Sequence, residues 1–221
     1  MRTLLAPETM DKMRRFLGSQ SLTIRDFHIL DDICSAAMPR QFLVERGARL
    51  ARDFPELQPF SEHDAATTID SLTQKGIVEE VNSSALARIE QVLAEDKDVV
   101  GPTEGLPCIG TLDFTPLGAE CWLRMEREVF DWTEDNSCVG GMMFVDMRHI
   151  QLFGTDWPTA TDNLFSVCST LGWIRITGGE AIGPWRERWW RRLSHGWRID
   201  VETVPGKEIQ TSRKSRGLQE K

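Results

Sequence analysis

Residues 61–81 read SEHDAATTIDSLTQKGIVEEV. Ser61 has an N-capping side chain, and Asp64 at the third helical position completes a capping-box start. Ala65, Ile69, Leu72 and Thr73 recur at helical spacing and form an inner stripe. Gly76 stands where a helix places its C′ glycine, and Ile77 to Val81 follows as a short strand. A capped helix, a glycine stop and a strand are therefore expected in close succession.

Downstream, residues 108–118 read CIGTLDFTPLG. Here a strand ends in Thr-x-x-Gly and runs straight into a helix expected from Pro116 to Phe130. Thr115 is its N-cap and Pro116 its first residue, a favoured pairing. Together the two stretches resemble the recognition helix and the end of the wing in MarR- and PadR-like winged-helix proteins. The resemblance covers roughly residues 21–130. It implies DNA binding through the helix after Ser61, and often a homodimer through the helix around Trp122. Cys121, Trp122, Met125 and Val129, with Trp132 beyond, supply that helix with an apolar stripe. Packing against the C-terminal half is an equally good use for it.

The elements between and before these stretches are also legible. Thr23 caps a helix striped by Ile24, Phe27, Leu30, Ile33 and Cys34, with Asp26 in its first turn, and it stops before Pro39. A second helix is expected over 40–53, with Phe42, Leu43, Leu50 and Phe54 inward and Arg46, Arg49 and Arg52 on one outer side. Those arginines are either a small basic stripe or a solvated face neutralised by Glu45, Asp53 and Glu56. Residues 82–98 look inserted, with Ser84 capping a helix that turns Leu86, Ile89, Val92 and Leu93 inward. Residues 97–107 are expected as a loop. Residues 1–20 hold a short helix from Glu8 to Leu17, an arm or a frayed terminus.

The C-terminal half is different material. All eight tryptophans lie at or after Trp122, and there is no tyrosine. Residues 138–204 are expected as a Trp-rich α+β domain: strands over 142–153, a helix over 161–171, and a strand after Gly172. A helix, a glycine and a β-run repeat the shape of 61–81, so a second, degenerate winged helix is one reading. In GPWRERWWRRLSHGWRIDV (183–201), Pro184 opens a helix that stacks Trp185, Trp189 and Leu193. Arg186, Arg188, Arg191 and Arg192 surround them. This is either an aromatic and basic surface for nucleic acid or an acidic protein, or a core anchor with paired arginines. Residues 205–221 form a polar tail.

Charge divides in the same way. Residues 21–125 carry 9 Lys+Arg against 18 Asp+Glu, a net of −9, while 126–221 carry 13 against 14. Phosphate neutralisation supplies much of the affinity for DNA, so an acidic module fits a basic protein partner better. Glu62, Asp64 and Asp70 make the helix after Ser61 acidic, and Lys75 is its one cation. Its outward candidates for binding are Thr67, Thr68, Ser71, Gln74 and Lys75, joined by Arg46, Arg49, Arg186, Arg188 and Arg192.

The five cysteines, none closer than thirteen positions to another, form neither a disulfide framework nor a zinc pattern, and mostly buried, reduced thiols are expected. No phosphate-cradling, dinucleotide, zinc-protease or nucleophile-elbow motif is present. The expectation is a cytoplasmic α+β protein without cofactor, metal or catalysis. It would bind a protein partner as adaptor, complex subunit or inhibitor, with DNA-binding regulation as the alternative.

Overall fold

The protein is mixed α+β. The computed structural model describes residues 6–50, 61–96, 98–99, 107–136, 138–146, 148–162 and 174–203. The chain divides into two compact units: residues 1–97 with 105–136, and residues 98–104 with 137–221.

The first unit begins with α1 (Pro7–Ser19). It is no frayed arm: Met13, Phe16 and Leu17 are buried, and α1 packs on α2 (Ile24–Ser35) and α6 (Pro116–Val129). Thr23 and Asp26 form a reciprocal capping box at the start of α2. A two-residue strand, β1 (Met38–Pro39), leads into α3 (Arg40–Leu50). Leu43 is buried there, but Phe42, expected inward, is 42% exposed. The two adjoin, and one helix face does not take both. Asp53, Phe54 and Glu56 lie outside the described residues.

α4 (Glu62–Gln74) starts at the expected box: Ser61 N donates to Asp64 Oδ2 at 2.8 Å, and Asp64 N donates to Ser61 Oγ at 3.2 Å. Gly76 ends it with φ +70°. Then come β2 (Val78–Glu80), α5 (Ser83–Glu95), β3 (Thr111–Phe114) and α6. The cap of α5 is Asn82, whose Oδ1 accepts from the Ser84 and Ala85 amides, and not Ser84 as expected. Most of 97–107 lies outside the described residues. β3 pairs antiparallel with both β1 and β2, in the order β1-β3-β2. The apolar stripe of α6 is spent inside this unit: Cys121, Trp122, Met125 and Val129 are buried. Trp122 stacks between Phe27 and Phe114, and its Nε1 donates to Glu126 at 2.7 Å.

In the second unit β4 (Gly140–Phe144), β5 (His149–Gly154), β6 (Ile174–Ile182) and β9 (Gly196–Thr203) form an antiparallel sheet in the order β4-β5-β9-β6. Residues 157–162 are helical, and Ala160 packs on Ile150, Leu152, Ile199 and Val201 from one face. The expected helix 161–171 and Gly172 otherwise fall outside the described residues. A four-stranded sheet of this order does not repeat the three-stranded one. The helix expected after Pro184 is a hairpin instead: β7 (Trp185–Arg188), a turn at Trp189 and Trp190, and β8 (Arg191–Leu193). Trp185 lies opposite Leu193 and stacks on Phe153, 5.7 Å between centroids. The aromatic run favours a strand, and tertiary burial of Trp185 overrides the helical spacing of the three apolar residues.

Candidate macromolecule-binding surface

α4 turns Ala65, Ile69 and Leu72 into the core, all with no exposed surface, which sends its other faces outward. Helical φ/ψ leaves short hydroxyl side chains within reach of the preceding turn, and α4 uses this repeatedly. Thr67 donates to His63 O at 2.9 Å, and Thr68 to Asp64 O at 2.8 Å. Both hydroxyl protons are thereby directed back along the helix. Ser71 is half-buried and Gln74 exposed.

Asp64, Asp70 and the cap residue Lys75 are held by α2, α3 and the turn before α2. Arg40 of α3 donates to Asp70 Oδ1 at 2.7 Å and to Ala66 O at 3.2 Å. Arg25 of α2 lies 3.6 Å from Asp64. Lys75, the C-cap, donates to Ser21 O at 2.8 Å and lies 4.0 Å from Asp26 Oδ2. Its charge sits at the negative end of the helix dipole. The Asp64 carboxyl is held below its ordinary value, first by the Ser61 amide, then by the Ser61 hydroxyl and the Arg25 charge. Arg25, Arg40 and Lys75 therefore serve as ties between α4 and the elements beside it.

Arg46 follows the same pattern, giving Nε to Asp32 Oδ1 at 2.8 Å, with the Asp32 side chain 1% exposed. Glu45, one of the expected partners, accepts from Gln41 Nε2 at 3.0 Å, and Asp53 and Glu56 lie outside the described residues. The Arg49 side chain and Arg52 lie outside the described residues. The signal for Arg25, Arg40, Asp26 and Asp32 is weak in sequence, because each contact joins residues 14 to 49 positions apart.

The hairpin arginines belong to the second unit. Arg186 donates to Trp189 O at 2.5 Å, Arg188 is buried, and Arg192 is exposed. Arg191 lies 4.9 Å over the Trp190 ring and 3.5 Å from Glu187. Trp185, Trp189 and Trp190 are all buried, so their ring faces are not laid out for bases to stack on.

Among the described residues no group of three His, Cys, Asp or Glu side chains is placed to hold a metal ion, and no helix is long and apolar enough to cross a membrane. Of the described cysteines, Cys121 is buried, Cys34 is half-buried, and Cys108 and Cys138 are exposed, so the thiols are less buried than expected. Cys168 lies outside them. No protein-family model matches the chain, and neither the curated proteins nor the solved structures give a match.

Proposed function

We propose that the first unit contains a winged-helix module whose exposed α4 face binds a protein partner with a basic surface. The module is non-catalytic. Support for the architecture comes from the element order α2-β1-α3-α4-β2-β3-α6 and the antiparallel sheet order β1-β3-β2, with α5 inserted where the wing would be. Support for the partner class rests on one observation above the others. Lys75, the sole cation of α4 and its cap, is bonded to the Ser21 carbonyl beside Asp26. That leaves the face with Glu62 and a row of neutral polar groups, a poor counterpart for phosphate and a good one for arginine and lysine.

The test is a salt series of fluorescence anisotropy on random duplex DNA, run beside co-purification of a basic protein. The expected result is no salt-dependent DNA binding, together with a basic partner released by Ser71→Arg and Gln74→Arg. A Kd for DNA that weakens steeply with salt, and is lost with Arg46→Ala and Arg49→Ala, would establish the DNA-binding alternative.

A further inference from the structure

β6 closes one side of the second sheet and pairs only with β9 among the described residues. Its residues Arg175, Ile176, Thr177, Gly179, Glu180 and Ala181 are exposed, with Ile176 at 50%. A strand edge of this length, with no lysine or proline on it, is a template for another strand. Its irregularity is a bulge between Ile176 and Gly178.

That bulge sets the phase of the edge. Arg175, Gly178 and Glu180 lie opposite Glu202, Asp200 and Arg198, so these three share one face of the sheet. Ile176 and Gly179 lie opposite Val201 and Ile199 and share the other. The Thr177 hydroxyl donates to Asp200 O at 3.2 Å, so that carbonyl points toward β6. Carbonyl direction alternates along a strand, so those of Arg198 and Glu202 point the same way. Arg175, Gly178 and Glu180 then turn their own backbone groups inward, and Ile174, Ile176, Gly179 and Ala181 turn theirs to solvent.

We propose that a second copy of this chain docks on this edge, β6 against β6, antiparallel about a two-fold axis between Thr177 and Gly178. This register pairs all four outward residues: Ile176 with the partner's Gly179, and Ile174 with the partner's Ala181. An unbulged strand would require a different, even-numbered register. In this one Arg175, which pairs with Glu202 in its own chain, faces the partner's Glu180, the acceptor of Arg198, so the two ion pairs extend into a network across the edge, and symmetry repeats it. On the other side a Cβ at Gly179 would lie 2.9 Å from Trp157 Cζ3, so the Trp157 ring rests against that glycine. Ile176 of one copy thereby reaches the 42% exposed Trp157 of the other. Charge and apolar surface are both self-complementary, and the four-stranded sheets join into one.

Sedimentation equilibrium of the full chain tests this, with far-UV circular dichroism confirming that each variant is folded. The wild type is expected to be a dimer at roughly 100 µM, well above a micromolar Kd. Arg175→Glu and Glu180→Arg, each alone, are expected to be monomeric through like-charge contacts. An equimolar mixture of the two recovers a dimer, because each charge then meets its opposite. Ile176→Lys is expected to be monomeric as well. A monomeric wild type at that concentration, a dimer indifferent to these substitutions, or a mixture of the two charge variants that stays monomeric would overturn the proposal.

Discussion

The Thr115 hydroxyl donates to the Gly76 carbonyl at 2.5 Å while accepting from Gly118 N at 3.1 Å. One side chain thus caps α6 and ties it to the turn that ends α4, across 39 positions of sequence. Ile77 O adds to the joint by accepting from Thr115 N at 3.1 Å. Removing the hydroxyl with Thr115→Val leaves the Gly118 amide and the Gly76 carbonyl short of a partner. The expected loss is about 1–2 kcal/mol by urea denaturation, at the upper end of a lost N-cap.

The glycines on either side of this joint fail for different reasons. At Gly76 nothing lies within 4 Å of the place a Cβ would take, but φ is +70°. Gly76→Val therefore costs conformational strain alone, on the order of 1–2 kcal/mol. Gly118 has ordinary helical φ, yet a Cβ there would meet Ile77 O at 1.9 Å. Gly118→Ala forces α6 away from the turn and is expected to cost about 3 kcal/mol. Denaturation midpoints in this order, Gly118→Ala below Gly76→Val, check the assignment.

Much of this joint is written locally. Ser61, Asp64, Gly76, Thr115 and Pro116 carry their roles in a few residues of context, because caps and left-handed stops are short-range chemistry. The roles of Arg25, Arg40 and Arg46 are not local. Each is an outward cation by spacing, and only the tertiary placement of Asp64, Asp70 and Asp32 turns it into a tie. The hairpin at Trp185 is hidden for a related reason. Trp185, Trp189 and Leu193 fit a helical stripe, but they also fit a turn with Trp185 and Leu193 opposed. Burial against Phe153 decides between the two.

Arg46→Ala separates a structural arginine from a DNA-contacting one. The substitution removes the Arg46 guanidinium from the Asp32 carboxylate, which is 1% exposed. Arg46 itself is 42% exposed, which screens the pair and tempers the loss to about 2 kcal/mol. A lower denaturation midpoint with unchanged behaviour toward DNA is the expected result.

The α4 cap also predicts an acid limb. The Asp64 carboxyl lies below its ordinary 3.8 when folded, so its ionised form is favoured by folding. Its contribution is fully present above the unfolded value and is lost as the pH falls through the lowered one. Asp64→Asn should therefore lower the urea midpoint near neutral pH. The gap to wild type should close as the pH falls through that lowered value and the carboxyl takes up its proton. A gap that persists in acid would mean that the carboxylate charge is not what holds the cap.

Thiol chemistry reports on the packing of α6. Burial raises the Cys121 thiol pKa, against a smaller opposing effect of Arg124, so little thiolate is available there. Cys108 and Cys138 are exposed. Brief alkylation followed by peptide mass spectrometry should label those two in the folded protein, with Cys121 labelled only once urea opens the first unit. Trp122 provides the control, since it stacks on Phe27 and Phe114 in the same core. Trp122→Ala is expected to cost about 3–5 kcal/mol and to bring Cys121 labelling forward to correspondingly lower urea. Rapid Cys121 labelling in the native wild type would show that the helix leaves the core, reopening its stripe to a second copy.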